Sequence, residues 1–147
     1  MRKGIDYIGV TVSFFCHDGN GNFVMHKWSN KCLDEHVKWA CGGGGLEFGL
    51  TVEENLQKEI MEEYCAKVLG MEFLGMRDVH RIHNSEKTHW IALDYKVLVD
   101  RSEVKIGEPE MCEDLKWFSF ENLPEKDFLH SQLPIFLDRY REKLLRF

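Results

Sequence analysis

A single amphipathic helix pattern divides a chain of otherwise extended segments, and this order restricts the fold more than any other feature. Apolar side chains recur at four-residue spacing and predict a helix over residues 51–69. The recurring residues are Leu56, Ile60, Tyr64 and Val68. Thr51 and Glu54 match a capping box at the start of this helix, and Gly70 is its predicted stop.

Extended segments lie on both sides of this helix, and a second helix comes last. Runs rich in β-branched and aromatic residues predict strands. These strands cover residues 8–15, 22–28, 37–41, 72–82, 89–99 and 113–120. The turn signal at residues 18–21 joins the first two strands into a hairpin, and Pro134 starts a final helix through Leu145. We therefore predict an α+β fold, an α/β/α sandwich with a mixed β-sheet between helices.

The length and charge of the chain exclude several classes of protein. Its 147 residues predict a single domain over residues 1–147. Nineteen basic residues against 25 acidic ones give a net charge of −6, so we expect no nucleic-acid partner. No uninterrupted apolar run approaches a membrane span, so we expect no membrane partner. The five scattered cysteines lack a C-x-x-C pair and indicate reduced thiols, so we expect a cytoplasmic protein.

Three glutamates share one face of the predicted helix. Glu59, Glu62 and Glu63 stand at i, i+3 and i+4, away from the apolar face. Carboxylates this close repel one another and raise each other's pKa unless they share a cation. Ligands that are all oxygen select hard divalent ions, so this face predicts Mg²⁺, with Mn²⁺ as a substitute. A solvated surface is the alternative interpretation of an acidic helix face.

Four consecutive glycines, Gly42 to Gly45, precede the helix. Because glycine has no Cβ atom, the backbone at these positions can approach a ligand closely. Its free carbonyl groups can complete a metal shell, and its free N–H groups can contact phosphate oxygens. A flexible turn is the alternative interpretation of the glycines alone. Followed at this spacing by an acidic helix face, they indicate a site for a metal ion and a phosphate group.

The glycines and the helix together resemble the box of the Nudix hydrolase family, G-x5-E-x7-R-E-U-x-E-E-x-G-U, where U is a bulky aliphatic residue. Gly44 aligns with the first glycine and Ile60 with the aliphatic residue after the first helix glutamate. Glu59 aligns with that first helix glutamate, and Glu62 and Glu63 with the paired glutamates.

The resemblance continues outside the box and covers most of the chain. Residues 39–44 (WACGGG) are similar to the family's W-x-L-P-G-G, and residues 46–49 (LEFG) match the common L-E-x-G. Residues 87–91 and 108–117, followed by Leu123-Pro124, are similar to a nucleoside-triphosphate diphosphatase subgroup of the family. The resemblance implies the Nudix fold and a hydrolase.

The box is degenerate at four positions. Leu50 replaces the family's first glutamate, Lys58 replaces its arginine, and Cys65 and Ala66 replace the late glycine and aliphatic residue. In the family that glutamate and arginine are charged partners that help to orient the metal ligands. Leu50 and Lys58 cannot form this pair, and lysine lacks the planar fork of arginine. We therefore expect reduced or retuned catalysis, because lost supporting contacts typically weaken a metal site.

The resemblance implies a Mg²⁺-dependent enzyme that cleaves the diphosphate linkage of a nucleoside triphosphate or a related nucleoside diphosphate derivative. It implies that Glu59, Glu62 and Glu63 are catalytic and hold the metal, together with the carbonyl group of Gly43. A further carboxylate is expected from the loop before the last strand. The candidates there are Glu110 and Glu113.

Other positions are implied to contact a small-molecule nucleotide substrate. They are Lys27 near the end of the second strand, the glycines Gly44 and Gly45, and His89 in the subgroup-like segment. Many members of the family dimerise, so a homodimer is one assembly that the resemblance implies.

Two alternative functions remain open at this point. One is a pyrophosphatase for ADP-ribose or another nucleotide-sugar, because base-reading loops vary freely on one scaffold. The other is a Nudix-fold module that senses a nucleotide with weak or no turnover, and Leu50 is the residue that favours it. The pair His80 and His83 is a poor zinc motif, because in an extended segment the two side chains face opposite sides.

Overall fold

Seven strands and three helices follow one another in the computed structural model, which describes residues 1–30 and 37–146. The strands are β1 (Gly9–His17), β2 (Phe23–Trp28), β3 (Trp39–Ala40), β4 (Gly42–Gly45), β5 (Val68–His83), β6 (Glu86–Val99) and β7 (Cys112–Phe118). The helices are α1 (Val52–Tyr64), α2 (Leu133–Arg139) and α3 (Arg141–Leu144), with 3-10 turns at Arg101–Glu103 and Lys126–Phe128.

Strand β1 lies at the centre of one mixed sheet. The hydrogen-bonded order is β3-β2-β1-β6-β5, while β4 also pairs with β1 and β7 with β2. β1 and β6 run parallel, from Gly9 opposite Trp90 to His17 opposite Leu98. The other pairs are antiparallel. The predicted mixed sheet is therefore confirmed.

Alternate residues of β1 face opposite sides of the sheet. Val12 and Phe14 pack in one buried cluster with Leu56 of α1. Phe15 packs in a second cluster with Phe136 of α2. Each large apolar side chain that is fully buried contributes roughly 1.5–3 kcal/mol relative to an exposed one. The sheet thus lies between α1 and the C-terminal helices, which confirms the predicted α/β/α arrangement.

Helix α1 is shorter than its apolar spacing predicts. It ends at Tyr64, because Cys65 adopts a left-handed conformation (φ 58°) and donates its N–H to the carbonyl group of Met61. The chain then enters β5 at Val68, and Gly70 lies inside that strand instead of stopping the helix. Pairing with β6 therefore outweighs the helical spacing in this segment.

The four glycines form a strand and not a flexible turn. Gly42 to Gly45 pair with β1, and Gly42 stands opposite Phe14. A Cβ atom at Gly42 would lie 2.1 Å from the Phe14 ring, so a larger residue there would collide with the core. This close contact fixes the backbone beside α1.

Two simpler features also follow from the fold. Cys16, Cys41, Cys65 and Cys112 are free thiols, whereas Cys32 lies outside the described residues. Within the described parts of the chain, no helix has the length and apolar character needed to cross a membrane.

A buried ion pair joins the sheet to the C-terminal helices. Asp94 of β6 is fully buried and accepts two hydrogen bonds from Arg77 of β5, at 2.7 and 3.1 Å. The Tyr140 hydroxyl, between α2 and α3, donates to the same carboxylate at 2.6 Å, and the Ser13 hydroxyl also donates to it. The remaining guanidinium nitrogen of Arg77 lies 3.3 Å from the amide oxygen of Gln132.

We predict that Asp94→Ala lowers the free energy of unfolding by about 3–5 kcal/mol, because it leaves the Arg77 charge buried without its partner. Urea denaturation at unchanged m-value measures this loss. Asp138→Ala on the exposed face of α2 is the matched control and should change stability by less than about 0.5 kcal/mol. A loss below about 1 kcal/mol for Asp94→Ala would contradict the structural role of the pair.

Candidate active site

The acidic face of α1 is held in place from the first turn of the helix. The Thr51 hydroxyl accepts the N–H of Glu54 at 3.1 Å, and the Glu54 carboxylate accepts the N–H of Thr51 at 3.0 Å. This is the predicted capping box, and it is confirmed. With Leu56, Ile60 and Tyr64 buried against the sheet, Glu59, Glu62 and Glu63 emerge along the other side of the helix.

The backbone of β4 presents alternate peptide groups to this helix. Leu46 donates its N–H to the carbonyl group of Val10 at 2.8 Å, so every second pair along β1 and β4 is hydrogen-bonded. Gly43 and Gly45 belong to the pairs that are not hydrogen-bonded, so their N–H and carbonyl groups face away from β1. The N–H of Gly43 donates to the Glu63 carboxylate, which links the strand directly to the acidic face.

Asn55 makes a second link between the glycine strand and α1. Its side chain is fully buried, donates to the carbonyl group of Gly45 at 3.1 Å and accepts the N–H of Glu47 at 3.0 Å. One buried amide of α1 therefore holds the end of β4 and the start of the following loop.

The glycine at position 44 leaves room for a carboxylate. A Cβ atom at Gly44 would lie 2.4 Å from the carboxyl carbon of Glu59. No real Cβ atom approaches so closely, so a side chain at this position would displace Glu59. The glycine at position 44 therefore makes room for the carboxyl group of Glu59 in its present position.

Burial and mutual repulsion raise the pKa values of two of these carboxyl groups. Burial raises the pKa of Glu63 well above its ordinary value, and the charges of Glu59 and Glu108 raise it further, against the hydrogen bond from Gly43. Burial also raises the pKa of Glu59, and the nearby charge of Glu62 adds to this effect. The ionised forms of Glu59 and Glu63 are therefore destabilised in this site.

One carboxylate oxygen of Glu63 lacks a hydrogen-bond partner within the described residues. Its Oε2 atom is buried and has no hydrogen-bond partner among residues 1–30 and 37–146. Buried carboxylate oxygens are normally satisfied, and an orphaned one calls for an explanation. A hard divalent cation would satisfy this oxygen and offset the repulsion between the carboxylates. The donor set, which consists of oxygen atoms, thus fits Mg²⁺ or Mn²⁺.

Lys58 does have acidic partners, although Leu50 cannot supply one. Its amine lies 3.2 Å from a carboxylate oxygen of Glu47 and 3.1 Å from one of Glu62. Hydrogen bonds to Glu62 and then Glu47 raise the pKa of Lys58. Glu47 therefore serves in this chain as an acidic neighbour for the lysine, three residues before the degenerate position.

The loop before β7 reaches the same cluster through a residue that sequence reasoning missed. Gly107 donates its N–H to the carbonyl group of Glu63 at 3.0 Å, and a Cβ atom there would lie 1.9 Å from the carbonyl oxygen of Glu62. The next residue, Glu108, raises the pKa of both Glu59 and Glu63 by its charge. Gly107 beside an acidic residue is the signal that could have indicated Glu108. Glu59, Glu62, Glu63 and Glu108 are called the acidic cluster below.

The two carboxylates expected from this loop lie elsewhere. Glu113 in β7 pairs with Lys27, whose amine is 3.3 Å from its carboxylate. Glu110 is exposed, and its backbone carbonyl group accepts a hydrogen bond from the Ser29 hydroxyl at 2.7 Å. Of the carboxylates in this part of the chain, Glu108 is therefore favoured over Glu110 and Glu113 as the one that acts on the acidic cluster. The Lys27 amine lies against Glu113.

A cavity of about 600 Å³ opens beside the acidic cluster. Gly43, Gly44, Gly45 and Glu63 line one part of it, so the predicted glycines do border the space. Residues of β1, β2, β5, β6 and the segment before α2 line other parts of it, including Arg77 and Gln132. This volume is within the usual range for a small-molecule site.

A neutral histidine connects α1 to the cavity wall. Burial lowers the pKa of His26 to about 4. Its Nε2 atom accepts the indole N–H of Trp28 at 2.7 Å, and its Nδ1 atom lies 2.8 Å from the Tyr64 hydroxyl. Both His26 and Trp28 line the cavity, so these contacts hold one wall against the helix that carries the acids.

The structure corrects the expectation that His89 lines the pocket. Thr88, Trp90 and Ala92 of β6 line the cavity, and side chains alternate along a strand. His89 therefore faces the other side of the sheet, where its Nε2 atom lies 2.8 Å from Asp78 Oδ1. His89 is accordingly not one of the cavity residues.

Comparisons with known proteins indicate the family of this chain. The family model described as the NUDIX domain matches residues 8–139. The nucleoside triphosphatase NudI from Enterobacter sp. (strain 638) is 28% identical over 115 residues, which cover 74% of this chain and 80% of that protein.

Solved structures show the same fold. The crystal structure of a MutT NUDIX hydrolase from Burkholderia pseudomallei has a TM-score of 0.76 and 25% identity, and the match covers 89% of this chain and 96% of that chain. The NUDIX domain of Shewanella oneidensis NrtR, complexed with ADP ribose, has a TM-score of 0.71 at 16% identity, with coverage of 93% and 88%. Because the family model spans most of the sequence, this chain belongs to the Nudix hydrolase family.

Proposed function

We propose that this Nudix hydrolase cleaves the diphosphate linkage of a nucleoside triphosphate, or of a related nucleoside diphosphate derivative, in a Mg²⁺-dependent reaction. The observation that carries the proposal is the buried, unpartnered Oε2 atom of Glu63, which lies in a ring of negative charge beside a cavity. The name of the similar NudI protein, a nucleoside triphosphatase, supports the substrate class.

Four residues would hold the metal ion. Glu59, Glu62 and Glu63 would supply carboxylate oxygens, and Gly43 would supply its carbonyl group, which by the alternation of β4 faces away from β1. A Mg²⁺ ion bound there would neutralise phosphate charge and lower the pKa of a bound water molecule. The hydrogen bond from the Gly43 N–H holds the Glu63 carboxylate, and its unpartnered Oε2 atom would be available to the ion.

Other polar groups would bind the substrate or transfer a proton. Glu108 is the proposed general base, because Gly107 holds the loop against the end of α1. Gly45 has an amide that faces away from β1 and is suited to a phosphate oxygen. Arg77 and Gln132 are polar groups of the cavity wall and would contact the nucleoside. Lys58 keeps Glu62 in place through its ion pair.

A nucleotide panel tests the proposed reaction. The full chain is incubated with nucleoside triphosphates, nucleoside diphosphate derivatives and ADP-ribose, with Mg²⁺ and with EDTA, and the released products are identified. We expect diphosphate or phosphate release from a triphosphate or a related derivative, and its loss in EDTA. Release of AMP from ADP-ribose in preference to all triphosphates would replace the triphosphate by the alternative substrate, a nucleotide-sugar. Tight nucleotide binding without turnover would contradict an enzymatic role.

We predict that Glu63→Gln lowers kcat by roughly 100-fold or more, equivalent to about 2.7 kcal/mol of barrier, because the amide is a poor ligand for a cation. The substitution is nearly isosteric, so circular dichroism should show an intact fold. Glu53→Gln on the exposed part of the same helix is the matched control and should leave kcat unchanged. A folded Glu63→Gln variant with an undiminished rate would remove this residue from the mechanism.

A second pair of variants identifies the loop carboxylate. Glu108→Gln should lower kcat by roughly 100-fold, which is typical for the loss of a general base. Glu113→Gln should have a much smaller effect, because Glu113 contacts Lys27 and not the acidic cluster. Steady-state kinetics at saturating Mg²⁺ measures both. The opposite ranking would restore Glu113 as the functional carboxylate.

A further inference from the structure

We propose that Asp78, His80 and His89 form a binding site for one Zn²⁺ ion, or a similar first-row transition metal ion, separate from the acidic cluster. These three residues are called the hairpin cluster. They lie on the face of the β5–β6 hairpin opposite the cavity, and no step of the proposed hydrolysis uses them.

The register of the hairpin brings the three side chains together. His80 stands directly opposite His89, and Asp78 lies two residues before His80 on the same face. The two imidazole rings are 4.2 Å apart between centroids, and Asp78 Oδ1 lies 2.8 Å from His89 Nε2. One ligand atom from each residue falls within 4.8 Å of the other two.

These distances are close to those of a coordinated ion. Tetrahedral zinc with ligands at about 2.0–2.1 Å places its ligand atoms roughly 3.3 Å apart. Small side-chain rotations would close the remaining distance, because Asp78 and His80 are exposed and His89 is partly so. The imidazole proton of His89 would then reside on Nδ1, which leaves Nε2 free to bind the ion.

The donor atoms decide which ion the hairpin cluster selects. Two imidazole nitrogens and one carboxylate oxygen suit Zn²⁺, Ni²⁺ or Cu²⁺, with water at the open position. Mg²⁺ prefers ligands that are all oxygen, as in the acidic cluster. The hydrogen bond from His89 lowers the pKa of Asp78, and the charges of His89, His80 and Arg139 add to this effect. Arg139 is the neighbouring cation, and its guanidinium donates to the carbonyl group of Met76 at 3.1 Å.

A bound ion would connect the edge strand to its neighbour. Among the strands of the described residues, β5 pairs with β6 alone, and Asp78 and His80 are on β5 while His89 is on β6. Residues of the same segments line the cavity on the other face, among them Arg81 and Trp90. The ion would therefore stabilise the hairpin and the cavity wall that it forms.

Calorimetric titration of Zn²⁺ into the full chain, with Mg²⁺ present to occupy the acidic cluster, tests this proposal. We expect one Zn²⁺ ion per chain in a site that Mg²⁺ does not compete for. His80→Gln and His89→Gln should each weaken binding by at least about tenfold, since losing even a supporting contact of a ligand costs 10–100-fold. His83→Gln is the matched control, because His83 lies on the same strand but faces the cavity, and it should keep the wild-type affinity.

Thermal unfolding supplies a readout that does not depend on activity. Zn²⁺ should raise the unfolding temperature of the wild-type chain and of His83→Gln, but not of His80→Gln or His89→Gln, because a ligand stabilises the state that binds it. Asp78→Asn is a third variant and should lose part of the effect. Equal zinc affinity in the wild type and in both hairpin histidine variants would overturn the proposal, as would an equal loss in His83→Gln.

Discussion

The candidate site is constrained most by the carboxylate of Glu63, one oxygen of which is buried close to other carboxylates. Glu63 projects from α1 against the glycine strand, accepts one hydrogen bond from Gly43 and has a second oxygen without a partner in the described parts of the chain. Its neighbours Glu59 and Glu108 add negative charge to the same space. Such an arrangement lowers stability unless a cation neutralises it. The packing of α1 on the sheet therefore has to offset this repulsion, which the proposed cation would relieve.

Three local features hold this unfavourable arrangement together. The strand of glycines allows the Glu59 carboxyl group to lie where a side chain would otherwise be. Asn55 bridges the strand to the helix with one buried amide. Gly107 brings the loop before β7 against the last turn of α1 and so positions Glu108. These features link the glycine strand, the helix and the loop before β7 at the candidate site.

Features that depend on local periodicity could be predicted from the sequence. Features that depend on how strands pair, or on where loops contact the helix, could not. The acidic face of α1 follows from its spacing alone, and the mixed sheet follows from the order of the elements. The face occupied by His89 depends on how β5 pairs with β6, and a shift of one residue reverses it. The choice of Glu108 over Glu110 depends on where the loop contacts α1, and the ion pair of Lys58 with Glu47 depends on how the preceding loop folds back.

The dependence of stability on Mg²⁺ tests the central claim most directly. The pKa of Glu63 is higher in the folded state than in the unfolded chain. Ionisation of Glu63 therefore destabilises the fold once the pH rises above the pKa that this residue has in the unfolded chain. At pH 8 in EDTA, urea denaturation should therefore show Glu63→Gln to be more stable than the wild type. Mg²⁺ at 100 times its Kd should stabilise the wild type by about 2.7 kcal/mol and the variant by much less. A free energy of unfolding that is unaffected by Mg²⁺ in the wild type would contradict the account.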